Sequence, residues 1–161
     1  MTPSQSAYDI TNKMIQDTAE GIKTGDFDLF MRHFALPFIM ETLVGKQYFQ
    51  SRLETKRHFD GVRKFREENG IVDSVRQNIS AEFYDAQTIS LTHISHLYKE
   101  DGIVFDRPYP THSIIRYVDG KWLIHYCQYA VDDMDAFTRA LLRYKEKAPR
   151  EGATLSAKPV I

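Results

Sequence analysis

Apolar positions in the first third of the chain recur at helical spacing. Tyr8, Ile15, Ala19 and Ile22 fall at steps of three, four and seven, and predict one helix over residues 7–23. Gly25 suits its end, and Asp26 can cap a short second helix, DFDLFMRHF, over 26–34. Pro37 punctuates the chain. FIMETLV (38–44) then reads as a strand, Gly45-Lys46 as a turn and residues 47–51 as the hairpin partner. A third helix is expected over 52–68, with Leu53, Phe59, Val62 and Phe65 on its apolar side. Its remaining surface mixes Lys56, Arg57, Arg63, Lys64 and Arg66 with Glu54, Asp60, Glu67 and Glu68. Because the acids offset the bases, this reads as a solvated face with intrahelical charge pairs.

After Gly70 the period changes from 3.6 to 2. Strands are expected at about 74–84, 88–98, 111–118 and 121–130. Asp101-Gly102 and Asp119-Gly120 are hairpin-turn signals between runs rich in aromatic and β-branched residues. A last helix, about 133–146, carries Met134, Phe137, Leu141 and Leu142 on one side. Helices and strands in separate runs indicate an α+β fold. The tail from Ala148 to Ile161 lacks periodicity and holds two prolines, so the expected organisation is one domain over 1–147 and a loosely ordered tail over 148–161.

Composition narrows the function classes. A chain of 161 residues, 42% hydrophobic and 27% charged, is ordinary for a soluble globular domain and buries enough surface to need no disulfide or metal. A net charge of −1 argues against a nucleic-acid partner. A single cysteine fits a reducing compartment, and with no signal-peptide pattern and no apolar run near the length of a membrane span, a cytoplasmic protein without a membrane partner is expected. No G-x-G-x-x-G or P-loop offers a cradle for nucleotide phosphates, and no cofactor is expected. His93-x-x-His96 has the look of a metal pair, but an i,i+3 pair in a strand points to opposite faces, so no metal site is expected.

Four ordered features resemble the nuclear transport factor 2-like superfamily, which includes ketosteroid isomerases, scytalone dehydratase and polyketide cyclases. They are GDFDLFMRHF at the end of the first helix, the strand FIMETLVG, the helix 52–68 and the strand pair THSIIRYVDGKWLIHYC, together spanning about residues 7–131. The resemblance implies a curved antiparallel sheet wrapped around the N-terminal helices, forming a cone with an apolar internal pocket, and frequent dimerisation through the convex sheet face. Function does not follow from such a fold. At the positions matching the isomerase tyrosine, general base and second oxyanion acid, this chain has Thr18, Thr42 (with Glu41 beside it) and Ser113. Hydroxyl groups are too weakly acidic to act alone as bases near neutral pH, so isomerisation by that mechanism is not expected.

The last strand, WLIHYCQYAV (122–131), carries the candidate chemistry. The resemblance turns His125, Cys127 and Tyr129 into the pocket and leaves Trp122, Ile124 and Tyr126 on the outer face, where their exposure would be costly and a second copy of the chain would cover them. His125 is the first candidate acid–base group, since histidine titrates near physiological pH. His93 shares a face with Ile89, Leu91 and Leu97, and scytalone dehydratase uses a pair of cavity histidines, which makes His93 its candidate partner. Cys127 lies two positions from His125, roughly 6–7 Å away along a strand, too far for direct activation of the thiol. Tyr8, Thr18 and Ile22 from the first helix, and Phe38, Met40, Thr42 and Ser113 from the sheet, complete the expected pocket lining. The expected function is binding of a small organic ligand, with isomerase, dehydratase or cyclase chemistry by histidine; the alternative is a non-catalytic ligand-binding or protein-association module.

Overall fold

The computed structural model describes residues 5–43 and 45–129. The helix expected over 133–146, the tail over 148–161 and the domain boundary at 147 lie outside the described residues. Within them the order is α1 (Ala7–Thr24), α2 (Phe27–Met31), β1 (Phe34–Thr42), β2 (Gly45–Phe49), α3 (Arg52–Glu68), β3 (Ile71–Asp85), β4 (Thr88–Lys99), β5 (Val104–Val118) and β6 (Lys121–Tyr129). This is an α+β fold in which three helices pack against one face of a six-stranded sheet of order β2-β1-β6-β5-β4-β3.

The helix ends follow local chemistry. The Ser6 side chain accepts from the Asp9 amide at 3.0 Å, and Asp26 accepts from the Leu29 amide at 3.1 Å, each satisfying a first-turn N–H. At the other end of α1, Gly25 takes φ 82° and returns its N–H to Gly21 O at 2.9 Å, a left-handed cap that glycine adopts without strain. The second helix is shorter than the expected 26–34 because Phe34 already belongs to β1. Pro37 lies within β1 instead of ahead of it. The pairing of β1 with β6 shifts register between Phe34 and Ile39, so the ladder skips the segment that contains the proline, which has no N–H to give.

The expectation of an antiparallel sheet needs one correction. β1 and β6 run parallel, joined at Met40↔Cys127 and Glu41↔Gln128, while the other neighbours are antiparallel. The sheet is therefore mixed and open, with β2 and β3 as its edges. The Asp119-Gly120 turn forms as expected, with both residues at positive φ (52° and 83°), the twist that suits a two-residue hairpin.

The core has two parts. Ile10, Met14 and Ile15 of α1 pack on Ile89, Leu91, Ile115 and Ile124 of the sheet. Phe59, Val62 and Phe65 of α3 pack on Phe38, Met40, Phe49 and Leu97. Aromatic rings step between the elements, Phe30 to Phe34 to Phe38 to Phe49, at centroid spacings of 4.8, 4.7 and 4.6 Å. Each such buried side chain stabilises the fold by roughly 1.5–3 kcal/mol. Two residues of the expected apolar stripes lie outside the core: Tyr8 is 51% exposed and Leu53 61% exposed. Among the described residues, no helix is long and apolar enough to cross a membrane.

Two glycines in helices have opposite surroundings. A Cβ on Gly21 would meet Asp26 O at 2.8 Å and Phe30 Cβ at 3.0 Å, because α2 crosses α1 there. A Cβ on Gly61, in α3, would meet nothing within 4 Å. Gly21→Ala is expected to destabilise the protein by about 1–3 kcal/mol, and Gly61→Ala to stabilise it by about 0.5–1 kcal/mol. Denaturant midpoints of the two variants check the pair.

Candidate functional site

Strand β6 does not alternate without interruption. Ile115 pairs with Ile124 but Ile114 pairs with Tyr126, so His125 is the extra residue of a β-bulge. The bulge resets the face. Before it, Ile124 is buried in the core and Trp122 packs on the same cluster, near Tyr117 (5.2 Å) and Phe83 (5.9 Å). After it, Cys127 and Tyr129 point inward. His125 lies near Arg116, whose neighbour Ile115 is fully buried on the inner face, and is not among the residues that line the cavity. This corrects the expected orientation of the strand. Trp122 and Ile124 belong to the chain's own interior, and of the three expected outer residues only Tyr126 faces out, donating its hydroxyl to the Glu41 carboxylate.

An internal cavity of about 50 Å³ lies between α1, α3 and the sheet. Of the expected lining, Thr18, Ile22, His93, Ser113, Cys127 and Tyr129 are brought together there. Tyr8, Phe38, Met40, Thr42 and His125 do not line it: Tyr8 is exposed, and Phe38 and Met40 are packed into the core beside it. His93 faces inward with Leu91, whereas His96 lies one strand position out of phase with it, so the two do not converge.

The sequence reading missed two arginines. Arg76 reaches inward from β3. Its Nη1 donates to Thr18 Oγ1 at 2.7 Å and to Ile15 O at 3.3 Å, while the Thr18 hydroxyl donates to Met14 O at 2.8 Å. Arg66, 7% exposed, enters from α3. Among the described residues neither has a carboxylate within 4 Å; Asp73, the acid nearest in effect to Arg66, is paired with Lys23 at 3.4 Å. A signal for Arg66 was present: it stands four residues after Val62 and seven after Phe59, on the apolar stripe of α3.

Buried side-chain atoms without a partner among the described residues concentrate here. Arg66 Nε, Arg76 Nε, His93 Nδ1 and Thr111 Oγ1 all belong to lining residues. The rest of the wall is largely apolar, from Phe30, Phe34, Phe59, Val62, Leu91 and Ile124.

Burial sets the protonation of the lining groups. It lowers His93 to about 3, with the Arg76 charge adding to the effect, and lowers His58 to about 4. It raises the Cys127 thiol to about 12 and the Tyr129 phenol well above its usual range. It also lowers Arg66 to about 10, with repulsion from Arg76 in the same direction, which leaves the guanidinium charged near neutral pH. The thiol and phenol are thus protonated and both imidazoles neutral. An unfolded histidine takes up a proton near pH 6.5, so between about pH 6.5 and 3 the unfolded chain binds more protons than the folded one at His93. The resulting stability is present above pH 6.5 and is lost as the pH falls. For one such histidine the loss at pH 5 is roughly 2 kcal/mol. His93→Gln is expected to shrink the difference in unfolding free energy between pH 7 and pH 5 by about that amount, measured by urea titration; an unchanged difference would contradict it.

No family model matches this chain, and no curated protein does. Solved structures do. A domain of unknown function with a cystatin-like fold from Nostoc punctiforme superposes with TM-score 0.64 at 9% identity, covering 95% of this chain and 93% of that one. A protein with the same fold from Novosphingobium aromaticivorans gives 0.61 at 15% identity, covering 84% and 88%. A protein of unknown function from Shewanella oneidensis, described as NTF-2 like, gives 0.57 at 10% identity, covering 78% and 100%. Such identities carry the fold and nothing further, and on that footing the chain has the nuclear transport factor 2-like, or cystatin-like, cone fold.

Proposed function

We propose that the protein binds a small organic molecule in the cavity between α1, α3 and the inner face of the sheet. One observation carries this reading: four buried polar atoms without a partner among the described residues belong to the lining of one largely apolar cavity. Leaving a buried donor or acceptor unpaired costs about 1–3 kcal/mol, and such groups bring the fold nothing in return. An apolar pocket with a few convergent polar groups is the usual form of a ligand site.

The protonation states favour binding over catalysis. A general base works best with a pKa near the operating pH. The cavity offers two neutral imidazoles, a protonated thiol and a protonated phenol. A second reading is isomerase-, dehydratase- or cyclase-type proton transfer by His93, favoured by its unpartnered Nδ1. His125, beside Arg116 and away from the lining, is assigned no part in it.

The outer face of the sheet is proposed to meet a second copy of the chain. Ile94, Ile114 and Leu123 alternate outward around Tyr126, and every described helix packs on the opposite face. Trp122 and Ile124 are withdrawn from that surface by the bulge.

Ser113→Leu fills the cavity. It is expected to keep the wild-type circular dichroism and to lose the thermal stabilisation that a bound small molecule gives the wild type, several degrees at saturating ligand. Equal responses of the two proteins across a screen would remove the cavity reading. For the dimer, Leu123→Asp is expected to halve the mass measured by light scattering; a monomeric wild type would remove that proposal.

A further inference from the structure

The cavity is more selective than a generic pocket, and the selectivity follows from the charge of its polar groups. This inference rests on the ligand-binding reading above and names the class of ligand. Arg66 and Arg76 are both donor-only cations, and a guanidinium stays charged where a lysine would give up its proton. The Arg76 charge adds to the lowering of Arg66, yet no carboxylate among the described residues lies within 4 Å of either. Burying a charge without a counter-charge is strongly unfavourable. Arg66 and His93 are each more than nine-tenths buried, and each has an unpartnered nitrogen. Thr111, 2% exposed, adds an unpartnered hydroxyl.

We propose that the cavity receives a small organic carboxylate, its anionic head held between the Arg66 and Arg76 guanidinium groups and its apolar body against Phe30, Phe59 and Leu91. Size limits the ligand. The cavity volume of about 50 Å³ suits a small acid of a few carbons. Its head group supplies acceptors for the two arginines, for Thr111 Oγ1 and for His93 when the proton sits on Nδ1. A neutral amide of the same shape would leave both cations unpaired.

The surroundings carry the same sign. Ile22 and Arg66 line both the cavity and an outer cleft of about 540 Å³ between α1, α3 and the start of β3. Lys23, Arg63, Lys64 and Arg66 face that cleft against Asp60 and Glu67. A cleft with excess positive charge concentrates anions at its mouth. The basic residues of α3, which sequence alone reads as a balanced solvated face, are therefore sorted by the fold.

The test is calorimetric titration of the full chain with acetate, butyrate and benzoate and with the matching amides, at pH 7 and low salt. The expected result is binding of at least one acid about ten- to a hundredfold tighter than its amide, with that preference lost in Arg76→Gln and in Arg66→Met. Because Arg66→Met removes a buried charge without removing a hydrogen bond, its ligand-free melting temperature is expected to equal or exceed that of the wild type. That outcome separates a binding role from a structural one; a marked drop would make Arg66 a structural residue and overturn the proposal. Acid and amide binding alike would overturn the anion assignment and leave the cavity reading standing. An acid preference that survives in both variants would overturn the assignment to these two arginines. Failure of every acid and every amide to bind would overturn this inference together with the cavity reading.

Discussion

The Arg76 guanidinium is the constraint around which the interior is arranged. It leaves an edge strand, crosses beneath α1 and is fixed there by Thr18 Oγ1 and Ile15 O. That contact ties the N-terminal helix to β3 and places a permanent positive charge against the cavity. The charge acts on four of the groups nearby. It adds to the lowering of His93 and Arg66 and opposes the raising of Cys127 and Tyr129, where burial wins. Thr18 is the position that the resemblance noted in the sequence matches to the isomerase tyrosine. Here its hydroxyl is fully used, donating to Met14 O and accepting from Arg76, so the position has become a support for a cation.

Much of the architecture was legible because it depends on period and punctuation. The switch from helical to alternating spacing at Gly70 and the Asp-Gly turns gave most elements to within a few residues, although β5 begins at Val104, well before the expected 111, and the four family-like segments gave the cone. The parallel pairing of β1 with β6 was not legible, since nothing local in either strand records which neighbour it meets. The bulge at His125 was equally hidden. One extra residue exchanges the faces of everything before it, and alternation read from Cys127 and Tyr129 therefore assigned Trp122, Ile124 and His125 to the wrong sides.

The site was less legible than the fold for a physical reason. Attention to histidine, cysteine and tyrosine follows reactivity, and it found His93, Cys127 and Tyr129 in the cavity. Arginine is common on surfaces, so Arg66 among Arg63, Lys64 and Glu67 reads as one more solvated charge. Its spacing from Phe59 and Val62 says otherwise, because the third helix buries that stripe whatever residue occupies it. Arg76 needed the register of β3, which shifts twice more along its pairing with β4 after that point and so cannot be counted back from the far end of the strand.

A leucine at position 66 would complete the stripe of α3 with less desolvation cost, and the fold gains no hydrogen bond from the guanidinium that replaces it. Places where a chain breaks a packing rule without structural return are where function is to be sought. The same electrostatics joins the two functional readings. Burial first, and the uncompensated Arg76 charge after it, hold His93 too far below neutrality to exchange protons. A carboxylate beside the guanidinium offsets the repulsion and raises the imidazole toward its ordinary value, because an adjacent negative charge favours the cationic form. In the proposed complex anion recognition therefore comes first: without the anion both cavity histidines, His58 and His93, are neutral, and His93 is the one whose lowering Arg76 adds to.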